Sequence, residues 1–278
     1  MLRPIGLTHG HYECRSLAET IPVFTDLLAM TVVARGNAEV VLEHPNTRWQ
    51  LVVHEGAPDA PEKPRNNHYG FRVAHLHEIE AAWKHLEANK TRYGLRRVTK
   101  PVAMHSAHSV YFNEPGGNTL EIEYYDPQAV AEGRRIAAAH WERPLPEQRF
   151  PGRGYIPQAL THGTLECDDK EASSRFYQQV LGLKIVGAGR VSAYIAHPAT
   201  PWYIVVIPAK RRRHLTPLNR FTLTVATPAE VEAAHRELSS RGAAGGISAL
   251  EPVRRREGDV SFMLSDLDRN WWEVRAAA

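Results

Sequence analysis

The chain has 278 residues, with 34 Lys or Arg against 31 Asp or Glu for a net charge of +3, and 43% of its residues are hydrophobic. Such proportions describe an ordinary globular protein, and at this length two domains are expected, since single cores seldom grow past ~250 residues. The weak charge leaves nucleic acid no electrostatic footprint, and apolar runs such as 203–207 fall far short of the ~20 residues a membrane helix needs.

In chain order, a strand over 6–14 precedes a helix whose Ile21, Phe24, Leu27 and Leu28 fall at helical spacing. Short strands follow near 31–34, 38–43 and 48–54. A strand at 68–74 leads into a helix over 76–88 that puts Ile79, Trp83 and Leu86 on one face. A hairpin then joins 108–113 to 118–125 through Glu114-Pro115-Gly116-Gly117-Asn118, residues suited to a tight reversal. Residues 128–143 read as a helix and 144–157 as a linker punctuated by Pro and Gly.

The pattern then repeats. Leu7-Thr8-His9-Gly10-His11-Tyr12-Glu13-Cys14 returns as Leu160-Thr161-His162-Gly163-Thr164-Leu165-Glu166-Cys167, six of eight positions identical. The register continues through Trp49 and Trp202, and, after one residue is lost in a loop, through Asn118 and Glu121 to Asn270 and Glu273. The expected organisation is an α+β chain of tandem βαβββ modules: residues 1–127, a connection over 128–157, and residues 158–278. The N-terminus, Met1-Leu2-Arg3-Pro4, lacks the basic and apolar regions of a secretory signal, so the chain is expected in the cytoplasm. Cys14 and Cys167 are expected as reduced, buried thiols.

Alternation along strands places His9, His11 and Glu13 on one face of the first strand. His68, Gly70 and Arg72 share a face of the strand from 68, opposite Tyr69, Phe71 and Val73. Glu121, Glu123 and Tyr125 do the same opposite Leu120 and Ile122. Three strands thus combine an apolar face with a face that opens with His9, His68 and Glu121. Two imidazoles and a carboxylate fill about half the shell of a six-coordinate ion, the facial arrangement of non-haem Fe(II) enzymes; Mn(II) also suits these ligands.

These residues resemble the vicinal oxygen chelate superfamily, which includes glyoxalase I, fosfomycin-resistance proteins and the extradiol ring-cleaving dioxygenases. The resemblance implies cup-shaped mixed sheets around a metal held by the first, fifth and eighth strands of a module, the places of His9, His68 and Glu121. The segment from Val110 to Glu121 is similar to the extradiol signature ending at the ligand carboxylate, which makes Tyr111 the active-site tyrosine. For the acid/base histidine the resemblance offers His108, His105 and His54, none at the family's own position. Val102 stands where the signature's histidine falls, and Thr47 and Arg48 stand where another does.

In the second module the matching residues are His162, Arg220 and Glu273. A guanidinium offers only donors, so Arg220 is expected to pair with Glu273 and leave that cup without a metal. Modules of this kind also exchange halves, in which case His162 replaces His9 beside His68 and Glu121. The resemblance implies Fe(II)-dependent extradiol cleavage of a catechol-like aromatic by O2, with Mn(II) as the other candidate ion and self-association a family habit. Two other readings stay open: a glyoxalase- or epimerase-like lyase or isomerase using a divalent metal, and a small-molecule binding or resistance protein without turnover.

Overall fold

In a computed structural model of the chain, the described residues are 1–57, 63–64, 66–104, 107–132, 141, 143–210 and 212–277. The first repeat forms β1 (Gly6–Cys14), α1 (Leu17–Pro22), β2 (Thr31–Arg35), β3 (Glu39–Glu43), β4 (Gln50–Glu55), β5 (His68–Arg72), α2 (His77–Ala88), β6 (Arg97–Val98), β7 (Val102–Met104), β8 (Ala107–Asn113) and β9 (Thr119–Tyr125). A short helix, α3 (Pro127–Ala131), follows. The second repeat forms β10 (Ala159–Cys167), α4 (Lys170–Gln179), β11 (Lys184–Ala188), β12 (Ala193–Ala196), β13 (Tyr203–Pro208), β14 (Arg220–Thr224), α5 (Pro228–Arg241), β15 (Ala249–Leu250), β16 (Arg254–Arg256), β17 (Asp259–Ser265) and β18 (Trp271–Ala277). The strands make two mixed sheets of nine strands each, the tandem α+β architecture the repeat implies.

Two compact units divide the chain, and they are not the two repeats. One is Glu13–Gly163; the other joins Met1–Tyr12 to Thr164–Ala278. Each repeat has sent the first part of its first strand, residues 6–12 of β1 and 159–163 of β10, to the opposite unit. In the unit Glu13–Gly163, the start of β10 runs antiparallel to β5, with His162 opposite Gly70. There β5 and β9 are parallel, and β8 closes the hairpin with β9. In the other unit, β1 takes the corresponding place beside β14, with His9 opposite Thr222. Both first strands carry a one-residue irregularity just before the histidine, at Thr161 and Thr8.

The apolar faces read from alternation are buried, and so are the polar residues that share β5 and β9 with them. Phe71, Val110, Phe112, Leu120 and Ile122 are fully enclosed, and α2 lays Ile79, Ala82 and Leu86 onto β8 and β9. The first helix departs from a simple α-helix. Ser16 caps it by accepting from the Glu19 amide, but Pro22, inside the helix, has no N–H for the carbonyl four residues back, and the next turn widens to a π-turn over Val23–Leu27.

The connection is anchored: Leu145 and Phe150 pack with Ala29, and Tyr155 donates to the Leu27 carbonyl at 3.2 Å. The helix expected over 128–143 is described only as α3, capped by Asp126; residues 133–140 lie outside the described residues. Cys14 and Cys167 are buried free thiols, which burial pushes up to about 11 and about 12.

The hairpin that carries Tyr111 and Glu121 is held by Glu114, fully buried. Its carboxylate accepts from the Gly116 amide (2.7 Å), the Asn118 amide (3.0 Å) and side chain (2.7 Å), and the Thr20 hydroxyl (2.9 Å). Asp266 does the same in the second repeat, accepting from the Asp268 and Asn270 amides, Tyr177 and Trp272. Glu114→Ala strands these donors in the interior and is expected to cost about 3 kcal/mol or more, read as a lower denaturant midpoint.

Candidate metal centre

Register builds the site. Across the unit Glu13–Gly163, one cross-strand row reads His162 on β10, Gly70 on β5, Glu121 on β9 and Tyr111 on β8. His68 lies two residues from Gly70 and therefore on the same face. Gly70 has no side chain, and the His162 ring fills that space: a Cβ on residue 70 would lie 2.0 Å from the ring's Cε1. The absence of one methyl group is what lets the imidazole lean over β5 toward its neighbours.

His68, Glu121 and His162, all buried, bring one donor atom each within metal-binding range. His68 Nε2 is 3.0 Å from Glu121 Oε2, His162 Nε2 is 3.3 Å from the same oxygen, and the two Nε2 atoms are 3.3 Å apart. Bonds of about 2.1 Å to one ion set donor atoms about 3.0 Å apart at right angles and about 3.4 Å apart at the tetrahedral angle. The triangle spans that interval.

The outer ring nitrogens show why these three atoms suit a cation. His68 Nδ1 is 3.0 Å from the Asn66 carbonyl, which only accepts, so Nδ1 carries the proton and Nε2 presents a lone pair. His162 Nδ1 is 3.1 Å from Thr161 Oγ1, whose own proton has the Glu123 carboxylate at 2.8 Å and the Gly70 carbonyl at 3.1 Å to satisfy, leaving the hydroxyl oxygen as acceptor. Both Nε2 atoms then face a carboxylate oxygen and each other, electron-rich atoms that need a positive charge among them.

Without a metal, a proton supplies it. Burial opposes charge on His162, yet the Glu123 charge and hydrogen bonds to Glu121 and Glu123 outweigh it and raise the imidazolium to about 9. Burial likewise favours neutral Glu121, but its contacts with the His162 and His68 rings hold its carboxyl well below the usual carboxylate range. A divalent ion would displace that proton, the ordinary coupling of metal binding to deprotonation. The residues fit a divalent metal.

The first-strand donor in this group is His162, not His9. His9 stands on β1, opposite Thr222, because β1 pairs with β14 and not with β5. Tyr111 faces Glu121 directly across the hairpin; its ring meets His68 edge-on at 5.7 Å, and its phenol hydrogen-bonds Glu121. Burial and the neighbouring carboxylates push that phenol far up, so it stays protonated.

The histidines offered as acid/base fall elsewhere. His108 alternates with Val110 and Phe112 on the helix-packing face of β8, opposite the face of Tyr111, with its ring 6.3 Å from Tyr124. His54, near the end of β4, has Nδ1 3.2 Å from Glu39. His105 lies outside the described residues.

The sister cup, in the other unit, carries different residues at the matching places. Its row reads His9, Thr222, Glu273, Met263. Thr222 replaces Gly70, and its hydroxyl donates to Glu273 at 2.8 Å and meets His11 Nε2 at 2.8 Å. Arg220, in place of His68, sets its Nε 3.5 Å from Glu273, the pairing its charge dictates.

The tandem modules, with a buried group of three side chains that could hold an ion, define a class of fold, and comparison with known proteins identifies it. A family model described as the Glyoxalase/Bleomycin resistance protein/Dioxygenase superfamily matches residues 7–122 and again 159–274. The chain belongs to that superfamily. Among solved structures, a protein of Bacillus subtilis subsp. subtilis str. 168 provisionally named a dioxygenase superposes with a TM-score of 0.65 at 14% identity, covering 100% of this chain and 86% of that one. Glyoxalase I from Zea mays gives 0.65 at 14% identity, covering 98% of this chain and 92% of its own, and a point mutant of that enzyme gives 0.68 at 15%, with the same coverage. At these identities the likeness is one of fold. No curated protein matches the sequence. Among the described residues, no helix is long and apolar enough to cross a membrane.

Proposed function

We propose that the chain is a ring-cleaving dioxygenase of the extradiol type, using Fe(II), or Mn(II) in its place, to open a catechol-like aromatic with O2. The observation that carries this reading is the face of three donors, His68, His162 and Glu121, with the Tyr111 hydroxyl beside it. Three protein ligands leave room on a six-coordinate ion for both oxygens of a diol and for dioxygen. When bound, the ion supplies Lewis acidity and a path for electrons from ring to oxygen.

The protein's own work is to hold, shield and orient. Gly70 leaves space for the His162 ring, Asn66 and Thr161 fix which ring nitrogens face inward, and the burial of all three ligands keeps the site poor in water. Tyr111, beside the three donors, places its hydroxyl to donate a hydrogen bond to an oxygen of the bound diol or of dioxygen.

Anaerobic purification with metal analysis, followed by oxygen uptake against a panel of catechols, tests this. Uptake with a yellow ring-opened product is expected. Turnover without oxygen, on Ni, Zn or Mn, would instead mark a lyase or isomerase, and absence of both metal and turnover a binding protein. Tyr111→Phe is expected to lower kcat about 10²-fold with metal content unchanged; equal loss of metal would show that the tyrosine only supports Glu121.

A further inference from the structure

Behind His162 lies a second buried carboxylate, close to its outer ring nitrogen. Glu123, 2% exposed, follows Glu121 by two residues and so shares its face of β9. Its Oε1 accepts from Thr161 Oγ1 at 2.8 Å and from Arg72 Nη2 at 2.9 Å, and lies 3.5 Å from His162 Nδ1. Arg72 is itself fixed, its guanidinium 3.7 Å above the Tyr125 ring. Register assembles the group: Arg72 is the β5 partner of Glu123 and of Ala159 on β10.

A buried ion pair is weak evidence for stability, because desolvation offsets much of the attraction. The location of this pair gives it another use. It presents a fixed negative charge and, through the Thr161 hydroxyl, a fixed acceptor to the outer nitrogen of one imidazole. We propose that Glu123, held by Arg72 and Thr161, is a positioning residue of the metal centre: it keeps the proton of His162 on Nδ1 and fixes the ring so that Nε2 is the donor. This rests on the metal-binding reading of His68, Glu121 and His162.

The sister cup supplies an internal control. The first-strand histidine and the carboxylate survive there as His9 and Glu273, and His9 Nδ1 still meets its preceding threonine, Thr8, at 2.8 Å. The residues matching Arg72 and Glu123 are Thr224 and Arg275. Thr8 Oγ1 lies 2.7 Å from the Thr224 hydroxyl, and Arg275 pairs with Asp259 at 3.0 Å. Where Arg220 stands in the ligand position, a cation stands where Glu123 would be. Carboxylate support and ligand set are present together in one cup and absent together from the other.

The test titrates metal-free whole protein with Co(II), read by its visible d–d absorption and by the exchangeable imidazole N–H resonances that the paramagnetic ion shifts. Glu123→Gln keeps the shape and removes the charge. Glu123→Gln with Arg72→Gln also removes the buried cation left unpaired, and serves where the single variant does not fold. Each is expected to bind Co(II) 10- to 100-fold more weakly than the parent, to shift the d–d bands, and to lose the slowly exchanging N–H signal of His162 while that of His68 persists.

Parental affinity, bands and N–H signals in a folded variant would overturn the proposal and leave the metal site standing. A parent protein that binds no Co(II) would overturn both. A lower melting temperature with unchanged Co(II) affinity would assign the pair a structural role and refute the positioning one.

Discussion

His162→Ala is expected to lose its metal, with affinity falling by more than the 10- to 100-fold that loss of an outer-sphere partner costs, whereas His9→Ala is expected to keep it. The two histidines occupy the same place in the same Leu-Thr-His-Gly sequence, so their separation is a direct consequence of which strand each repeat lends. β10 pairs with β5 and carries His162 to His68 and Glu121; β1 pairs with β14 and carries His9 to Thr222. The experiment is metal analysis after dialysis, followed by titration with Mn(II), on both variants and the parent. A His9→Ala protein that loses its metal while His162→Ala retains it would place the first-strand ligand within its own repeat.

Gly70→Thr is expected to abolish metal binding while leaving the fold intact. The added Cβ would stand 2.0 Å from Cε1, 2.5 Å from Nδ1 and 2.6 Å from Nε2 of His162, so the ring must leave. No flexible tail is there to yield: the obstacle is an imidazole whose other edge is tied to Thr161. A threonine is the instructive replacement because the chain already carries one at the equivalent position. Thr222 sits opposite His9 as Gly70 sits opposite His162, within an intact sheet. Mn(II) affinity is therefore expected to drop at least about 100-fold, with a circular dichroism spectrum matching the parent's. Retained affinity would mean that the ring over Gly70 is not a ligand.

Much of this is legible in the sequence, for a physical reason. Strand alternation is strictly local, so the face shared by His68, Gly70 and Arg72, and that shared by Glu121 and Glu123, can be read from spacing alone. The hairpin residues from Glu114 to Asn118 fix a register that brings Tyr111 opposite Glu121. The choice between His9 and His162 was not legible, because both stand in the same local sequence and differ only in the strand they pair with, a tertiary event. His108 misleads for a related reason: nearness in sequence to Tyr111 counts for nothing when an odd number of positions separates them along a strand. The strands β6 and β7, two and three residues long, are too short to show a period. The role of Gly70 lies in what it lacks, and that of Glu123 in a bond to a strand nearly forty residues away; neither has a local signature beyond sharing a face with a ligand.

Crystals of the protein grown with Mn(II), measured at a wavelength where manganese scatters anomalously, put the account to its hardest test. One anomalous peak per chain is expected, within bonding distance of His68 Nε2, His162 Nε2 and a Glu121 carboxylate oxygen, with none beside His9, Arg220 and Glu273. A peak beside His9, or no peak at the His68, Glu121 and His162 triangle in crystals containing the ion, would contradict it.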